Sequence, residues 1–270
     1  MAEAFLIFLS AGIMLAAVIS DPEQVTLLWL RLCGIIALAV GGLSMYFLLT
    51  RNAADSTTPV FFQRMQIGLT IATLALILGQ LAFVQVAWRR TQRVLAGAAF
   101  VVGVLAGAGM LHDMMVTRGT YLNYPPKALG ITLQMLAGVG IAGMCGLALM
   151  DMLLGHAYLT ASKMTIAPFR RLNLALATIM VLRAISAIAL ALALQAWRRP
   201  EMMWNLYGLY IGTRWFVGLI VPAVFVYMAH DCITRRSTQS ATGILYVAGV
   251  LIFIGEIVAL YLMHETGLPF

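Results

Sequence analysis

Charged residues are scarce in this chain. Its 270 residues include 17 Lys and Arg and 10 Asp and Glu, so 10% are charged, against about 25% in an average soluble domain. With 62% hydrophobic residues and a mean hydropathy of +0.95, the chain falls in the membrane class. The net charge of +7 comes mostly from short loops, which indicates membrane anchoring and orientation and argues against a nucleic-acid partner.

Cysteine motifs and a leader pattern are missing as well. Cys33, Cys145 and Cys232 lie in or beside separate apolar segments and form no CxxC, which argues against an iron–sulfur or zinc site in this chain. The first apolar run starts at Ala4 and is preceded by Glu3, with no Lys or Arg before it. A cleaved signal peptide has a basic start, so we expect this run to be a retained transmembrane helix.

The apolar runs predict an all-α, polytopic membrane bundle of about eight helices, forming one transmembrane domain over residues 1–270. About 20 apolar residues span a bilayer. Pro222 lies inside a predicted span, where a missing backbone donor should kink the helix. The predicted spans are 4–20, 25–50, 66–88, 94–112, 128–158, 172–197, 204–230 and 241–263.

Loop charge predicts an orientation in the cell (inner) membrane. The loops after spans three, five and seven carry eight Lys and Arg, against six after spans two, four and six. Since cytoplasmic loops are richer in Lys and Arg, we expect both termini on the non-cytoplasmic side. The eight are Arg89, Arg90, Arg93, Lys163, Arg170, Arg171, Arg235 and Arg236, and the six are Arg51, Arg64, Arg118, Lys127, Arg198 and Arg199.

Four histidines lie near helix ends and sort into two pairs. His156 and His230 end spans five and seven on one side, and His112 and His264 end spans four and eight on the other. A b-type haem takes two axial imidazoles, so all four are candidate cofactor ligands. His156 and His230 are the better pair for a haem iron because both close long apolar helices. The alternative is that these imidazoles lie in the headgroup region without a ligand.

Ionisable residues inside the predicted spans form a second candidate site. Arg183 lies near the middle of span six, and Arg214 and Glu256 lie at similar depth in spans seven and eight. An unpaired arginine at mid-membrane costs about 2.5 kcal/mol or more, so we expect Arg214 to pair with Glu256. Arg183 either joins them or reaches Asp151 in span five. These four residues are candidates for a quinone or proton path, or for a purely structural ion pair.

The fifth predicted span is rich in glycine at positions that leave its surface open. Small residues let helices approach closely, and they also leave room for a flat or bulky group such as a porphyrin or quinone. The residues are Gly138, Gly140, Gly143 and Gly146.

Three functions are consistent with these features. The first is a membrane subunit of a respiratory-type electron-transfer complex, which exchanges electrons with the quinone pool, either through haem b or without it, and depends on partner subunits that carry further redox cofactors. Such a subunit is not an enzyme on its own. The second is a secondary transporter or channel with an intramembrane Arg/Glu pathway. The third is a structural or assembly subunit whose charges are internal salt bridges. No nucleophile–base pair indicates an independent hydrolase.

Overall fold

The computed structural model describes residues 1–21, 23–51, 60–86, 88–117, 127–160, 165–196, 200–266 and 270. These residues are almost entirely helical, and none of them lies in a strand. The helices are α1 (Ala2–Ile19), α2 (Leu27–Thr50), α3 (Val60–Val86), α4 (Arg89–Thr117), α5 (Lys127–Thr160), α6 (Ala167–Ala196), α7 (Pro200–Trp215), α8 (Val221–Thr234) and α9 (Thr238–Thr266).

In the described part of the chain, eight helical spans are long and apolar enough to cross a bilayer, which confirms the predicted fold class. A π-helical segment, Phe216–Ile220, joins α7 to α8, so these two helices form one span. Pro222 is the second residue of α8, separated from the segment by Val221. Since proline removes a backbone donor, a local change of helix type is the expected response.

Several helices extend beyond the predicted spans. Helices α3 and α4 begin at Val60 and Arg89, whereas the corresponding predicted apolar runs begin at residues 66 and 94. Polar and basic residues continue each helix beyond the hydrocarbon core. Four basic residues of the orientation argument lie outside the described residues: Arg118, Lys163, Arg198 and Arg199.

The bundle has two halves joined by α5. In the first half α1 packs against α2 and α4, and α3 packs against α2 and α4; in the second, α8 packs against α6 and α9. α5 contacts α1, α6 and α9, and 78% of its apolar window is buried. The outer surface carries large apolar side chains such as Leu28, Phe61 and Leu209, which is consistent with contact with lipid.

The glycines of α5 are covered by other helices of the same chain. Phe8 lies against Gly138, Arg183 against Gly140 and Ile179 against Gly143. The closest approach joins α1 to α5: a Cβ at Gly146 would lie 2.1 Å from the backbone carbonyl carbon of Gly12. The open surface of α5 therefore serves helix packing at these positions, not the approach of a cofactor.

Candidate functional site

A buried cluster of three charged residues joins the helices of the second half. Arg183 from α6, Arg214 from α7 and Glu256 from α9 are 1%, 2% and 0% exposed. Arg214 Nη2 lies 2.8 Å from Glu256 Oε1, which confirms the predicted pair. Arg183 donates to the same carboxylate from Nη2 at 3.1 Å. Of the two partners predicted for Arg183, the structure brings it to Glu256.

Glycines make room for this cluster. A Cβ at Gly140 would lie 2.5 Å from Arg183 Cδ, so α5 leaves space there for the arginine chain. Gly218 of the π-helical segment and Gly255 of α9 are in backbone contact, and a Cβ at Gly218 would lie 3.1 Å from Arg214 Nη1. Close approach of the π-helical segment to α9 thus brings Arg214 to Glu256.

The cluster has more hydrogen-bond donors than acceptors. Arg183 Nη2 also donates to the backbone oxygen of Phe270 at 2.5 Å. Arg183 Nη1 and the Nε and Nη1 atoms of Arg214 have no partner among the described residues. Among the described residues, the two guanidinium groups therefore share one carboxylate and one backbone oxygen.

The predicted acid Asp151 belongs to a different group of side chains. It is 0% exposed, and its Oδ2 accepts a hydrogen bond from Asn173 Nδ2 of α6 at 3.2 Å. Asn173, also 0% exposed, lies with its Oδ1 3.2 Å from Nδ1 of His230 in α8. Three helices therefore bring a carboxyl group, an amide and an imidazole into one hydrogen-bonded row.

This row ends at a cleft on the lipid-facing side of α6 and α8. The cleft has a volume of about 380 Å³, and Asn173 and His230 form its polar end. The remaining walls are apolar or aromatic, and several wall residues are exposed on the outer surface, including Val181 (59%) and Tyr227 (75%). The other lining residues are Leu174, Ala177, Met180, Ala184, Trp215, Leu219, Ile220, Ala223 and Val226.

The other predicted histidines lie elsewhere. His156 on α5 and His112 on α4 are exposed, and His264 Nδ1 lies 2.9 Å from Glu265 Oε1 on α9. In the part of the chain that the structure describes, no three His, Cys, Asp or Glu side chains form a group that could hold a metal ion. A haem needs only two imidazoles, so haem ligation by these residues stays a prediction.

Sequence reasoning missed Asn173 and the aromatic wall of the cleft. Asn173 is an amide near the start of a strongly apolar span, and intramembrane polar residues usually have a partner. That signal was present, but its partners lie 22 and 57 residues away. The cleft itself has no sequence signature because α6 and α8 line it from separate stretches.

Comparison of the chain with protein-family models, with curated proteins and with solved structures finds no match.

Proposed function

We propose that the protein is a membrane subunit of an electron-transfer complex that binds a quinone in the cleft between α6 and α8. The observation that carries this proposal is a mostly apolar cleft, open to the lipid side, with Asn173 and His230 at one end of its lining. A quinone has the matching chemistry: a flat ring with polar oxygens and an apolar tail that resides in the bilayer.

The dimensions of the cleft support this ligand. Asn173 and Ala184 are eleven residues apart on α6, which corresponds to about 16 Å along a helix. The volume of about 380 Å³ is within the range of roughly 300–1,000 Å³ for small-molecule pockets. A ring at the His230 end therefore leaves the apolar length of the cleft for the tail.

The electrons exchanged with the quinone pass to redox centres of partner subunits. A haem b on His230 would use the same imidazole, so it is the alternative to quinone binding at this residue. The subunit lies in the cell (inner) membrane, with both termini on the non-cytoplasmic side. Reporter fusions at Met1, active only on one side of the membrane, test that orientation; a cytoplasmic signal contradicts it.

Photolabelling tests the proposal directly. The purified protein in nanodiscs is illuminated with an azido-quinone, and labelled peptides are mapped by mass spectrometry. We expect saturable labelling of 173–184 and 223–230, which excess unlabelled quinone prevents. His230→Leu should reduce it, whereas Thr178→Val should not, because the Thr178 hydroxyl bonds within its own helix at Leu174 O. Labelling that is spread over all lipid-facing helices and does not saturate overturns the proposal.

A transporter is the second candidate, and the buried charge cluster is the observation that favours it. Arg183 Nη1 and two nitrogens of Arg214 are buried without a partner among the described residues, which is the chemistry of a site for an anion in transit. Substrate-dependent flux in liposomes, abolished by Arg183→Gln, would support this function. Absence of flux together with cleft labelling would exclude it in favour of quinone binding.

A further inference from the structure

Asp151 is an acidic side chain in the interior of the bundle, with no cation beside it among the described residues. It is 0% exposed, its Oδ2 atom lies 3.2 Å from the Asn173 amide, and its Oδ1 atom has no hydrogen-bond partner in the described part of the chain. Glu256 is equally buried, but two guanidinium groups balance its charge. Because a buried ion without a counter-charge is costly, the environment of Asp151 favours the neutral carboxyl.

The other titratable groups on α5 and on the helices around this row are exposed or engaged elsewhere. On α5 itself the Tyr158 hydroxyl donates to a backbone oxygen, and His156 is exposed. The remaining groups form ion pairs with each other or are exposed: Asp21 with Arg171, Asp231 with Arg235, and Arg170 and Tyr246. Hydrogen bonds join Asp151 to His230 alone among these groups, and only through Asn173, which separates the two side chains.

Asn173 joins Asp151 to His230 by an amide whose two ends have opposite polarity. Its nitrogen donates and its oxygen accepts. One end lies 3.2 Å from Asp151 Oδ2, and the other lies 3.2 Å from His230 Nδ1. Rotation of the amide by half a turn exchanges the two ends, so both orientations fit the same positions. In either orientation one neighbour must donate a hydrogen and the other must accept one.

Two hydrogen patterns therefore satisfy the row. In the first, neutral Asp151 donates to the amide oxygen, the amide nitrogen donates to Nδ1 of His230, and Nε2 carries the imidazole hydrogen. In the second, ionised Asp151 accepts from the amide nitrogen, and Nδ1 of His230 donates to the amide oxygen. Other combinations oppose two donors or two acceptors, or place a hydroxyl hydrogen on Oδ1, which has no partner among the described residues. A hydrogen bond lost in this way lowers a population about tenfold or more.

We propose that the proton on Asp151 regulates the cleft: its loss turns the Asn173 amide and moves the hydrogen of neutral His230 from Nε2 to Nδ1. One proton leaves the row in this step, one stays on the imidazole, and no bond between heavy atoms changes. The consequence for a ligand rests on the proposed function. A ring oxygen that meets Nε2 finds a donor while Asp151 is neutral and an acceptor once it is ionised.

Spectroscopy of the protein in nanodiscs tests the proton link without any ligand. Nitrogen-15 shifts of labelled histidine report which nitrogen of His230 carries hydrogen, with His230→Gln for assignment. The infrared carbonyl stretch of a protonated carboxyl reports Asp151. As the pH is raised, we expect this band to disappear and the hydrogen to move from Nε2 to Nδ1 at the same midpoint. Ionisation of Asp151 without a change of tautomer overturns the inference. So does absence of the band at every pH at which the protein is folded.

Asp151→Asn is the matched variant, because it keeps the shape of the side chain and removes the proton that titrates. The carboxyl band should be missing, and neutral His230 should keep one tautomer over the same pH range. Thr178→Val on α6 should retain the coupled transition, because the Thr178 hydroxyl bonds within its own helix at Leu174 O. A change of tautomer that persists in Asp151→Asn overturns the inference.

Calorimetric titration with a short-chain quinone, with empty nanodiscs subtracted, connects the proton link to the cleft. In the unaltered protein we expect the quinone to bind about tenfold tighter below the midpoint than above it. In Asp151→Asn the dissociation constant should be the same at both pH values. Equal constants in the unaltered protein overturn the regulation and leave the proposed function standing. A coupled transition without quinone binding at any pH overturns the proposed function, whereas the proton link stands.

Discussion

Arg183 and Glu256 are joined by two hydrogen bonds in the interior of the bundle. Nε and Nη2 of the guanidinium lie 3.4 and 3.1 Å from the two carboxylate oxygens. Arg214 approaches the same carboxylate from α7. The carboxylate of Glu256 therefore links its own helix, α9, to α6 and α7. The α9 helix contributes few other buried polar groups.

Glu256→Gln should destabilise the protein strongly. The carboxylate is the only acidic side chain that the structure shows paired with the two buried arginines, and removal of one partner from a buried ion pair costs about 3–5 kcal/mol. The midpoint of unfolding in sodium dodecyl sulfate, followed by circular dichroism, measures the loss. Asp231→Asn is the control: its pair with Arg235 is exposed, so it should cost less than about 1 kcal/mol. Equal midpoints for the two variants would contradict the expectation.

The variants Asp151→Ala and Asp151→Asn should differ in their stability to unfolding. Alanine leaves the Asn173 Nδ2 donor buried without an acceptor, which costs about 1–3 kcal/mol. Asparagine keeps an oxygen that can accept this hydrogen bond, so its unfolding midpoint should stay near that of the unaltered protein. The same unfolding assay compares the two. A large loss in Asp151→Asn would mean that the charge, and not the hydrogen bond, is what the site requires.

Gly146→Ala should force α1 and α5 apart. The added Cβ would lie 2.1 Å from the backbone carbonyl carbon of Gly12, and backbone atoms cannot turn away as a flexible side chain can. Overpacking of this kind costs about 1–3 kcal/mol or more. Gly243→Ala is a matched control on α9, where a Cβ meets nothing within 4 Å. There the higher helix propensity of alanine should give a gain of up to about 1 kcal/mol. Similar unfolding midpoints would contradict the close approach.

The haem prediction has a spectroscopic test. The protein purified in detergent should show a sharp reduced α-band of a b-type haem after dithionite addition, and His156→Ala or His230→Ala should remove it. The ratio of haem to protein then reports whether His112 and His264 hold a second haem. A colourless protein contradicts the haem prediction. It leaves quinone binding in the cleft to be decided by photolabelling.

The predictions from the sequence succeeded where a property depends on one stretch of chain. Arg214 and Glu256 could be placed at the same depth by counting residues from the ends of their spans, and they are paired. Arg183 had two possible partners at the sequence level because depth alone does not decide which neighbouring helix its side chain faces. The glycines of α5 indicated close contact, but only the structure shows Gly12 as the partner of Gly146.

The row formed by Asp151, Asn173 and His230 separates what the sequence could predict from what only the structure shows. His230 and Asp151 were candidates, in separate roles, and Asn173 was missed. The hydrogen bonds that join them depend on how α5, α6 and α8 are rotated about their axes. Rotation follows from side-chain packing over the whole bundle, which hydropathy along the chain does not contain.

The sequence by itself determined that this protein is a bundle of eight apolar helices with charges placed at mid-membrane, because span length and depth follow from local hydropathy. Only the tertiary structure decided which charges meet, which face of each helix is turned to lipid, and that a cleft with one polar end lies between α6 and α8. Those relationships join residues far apart in the chain, and they arise from packing between helices that share an almost uniformly apolar surface.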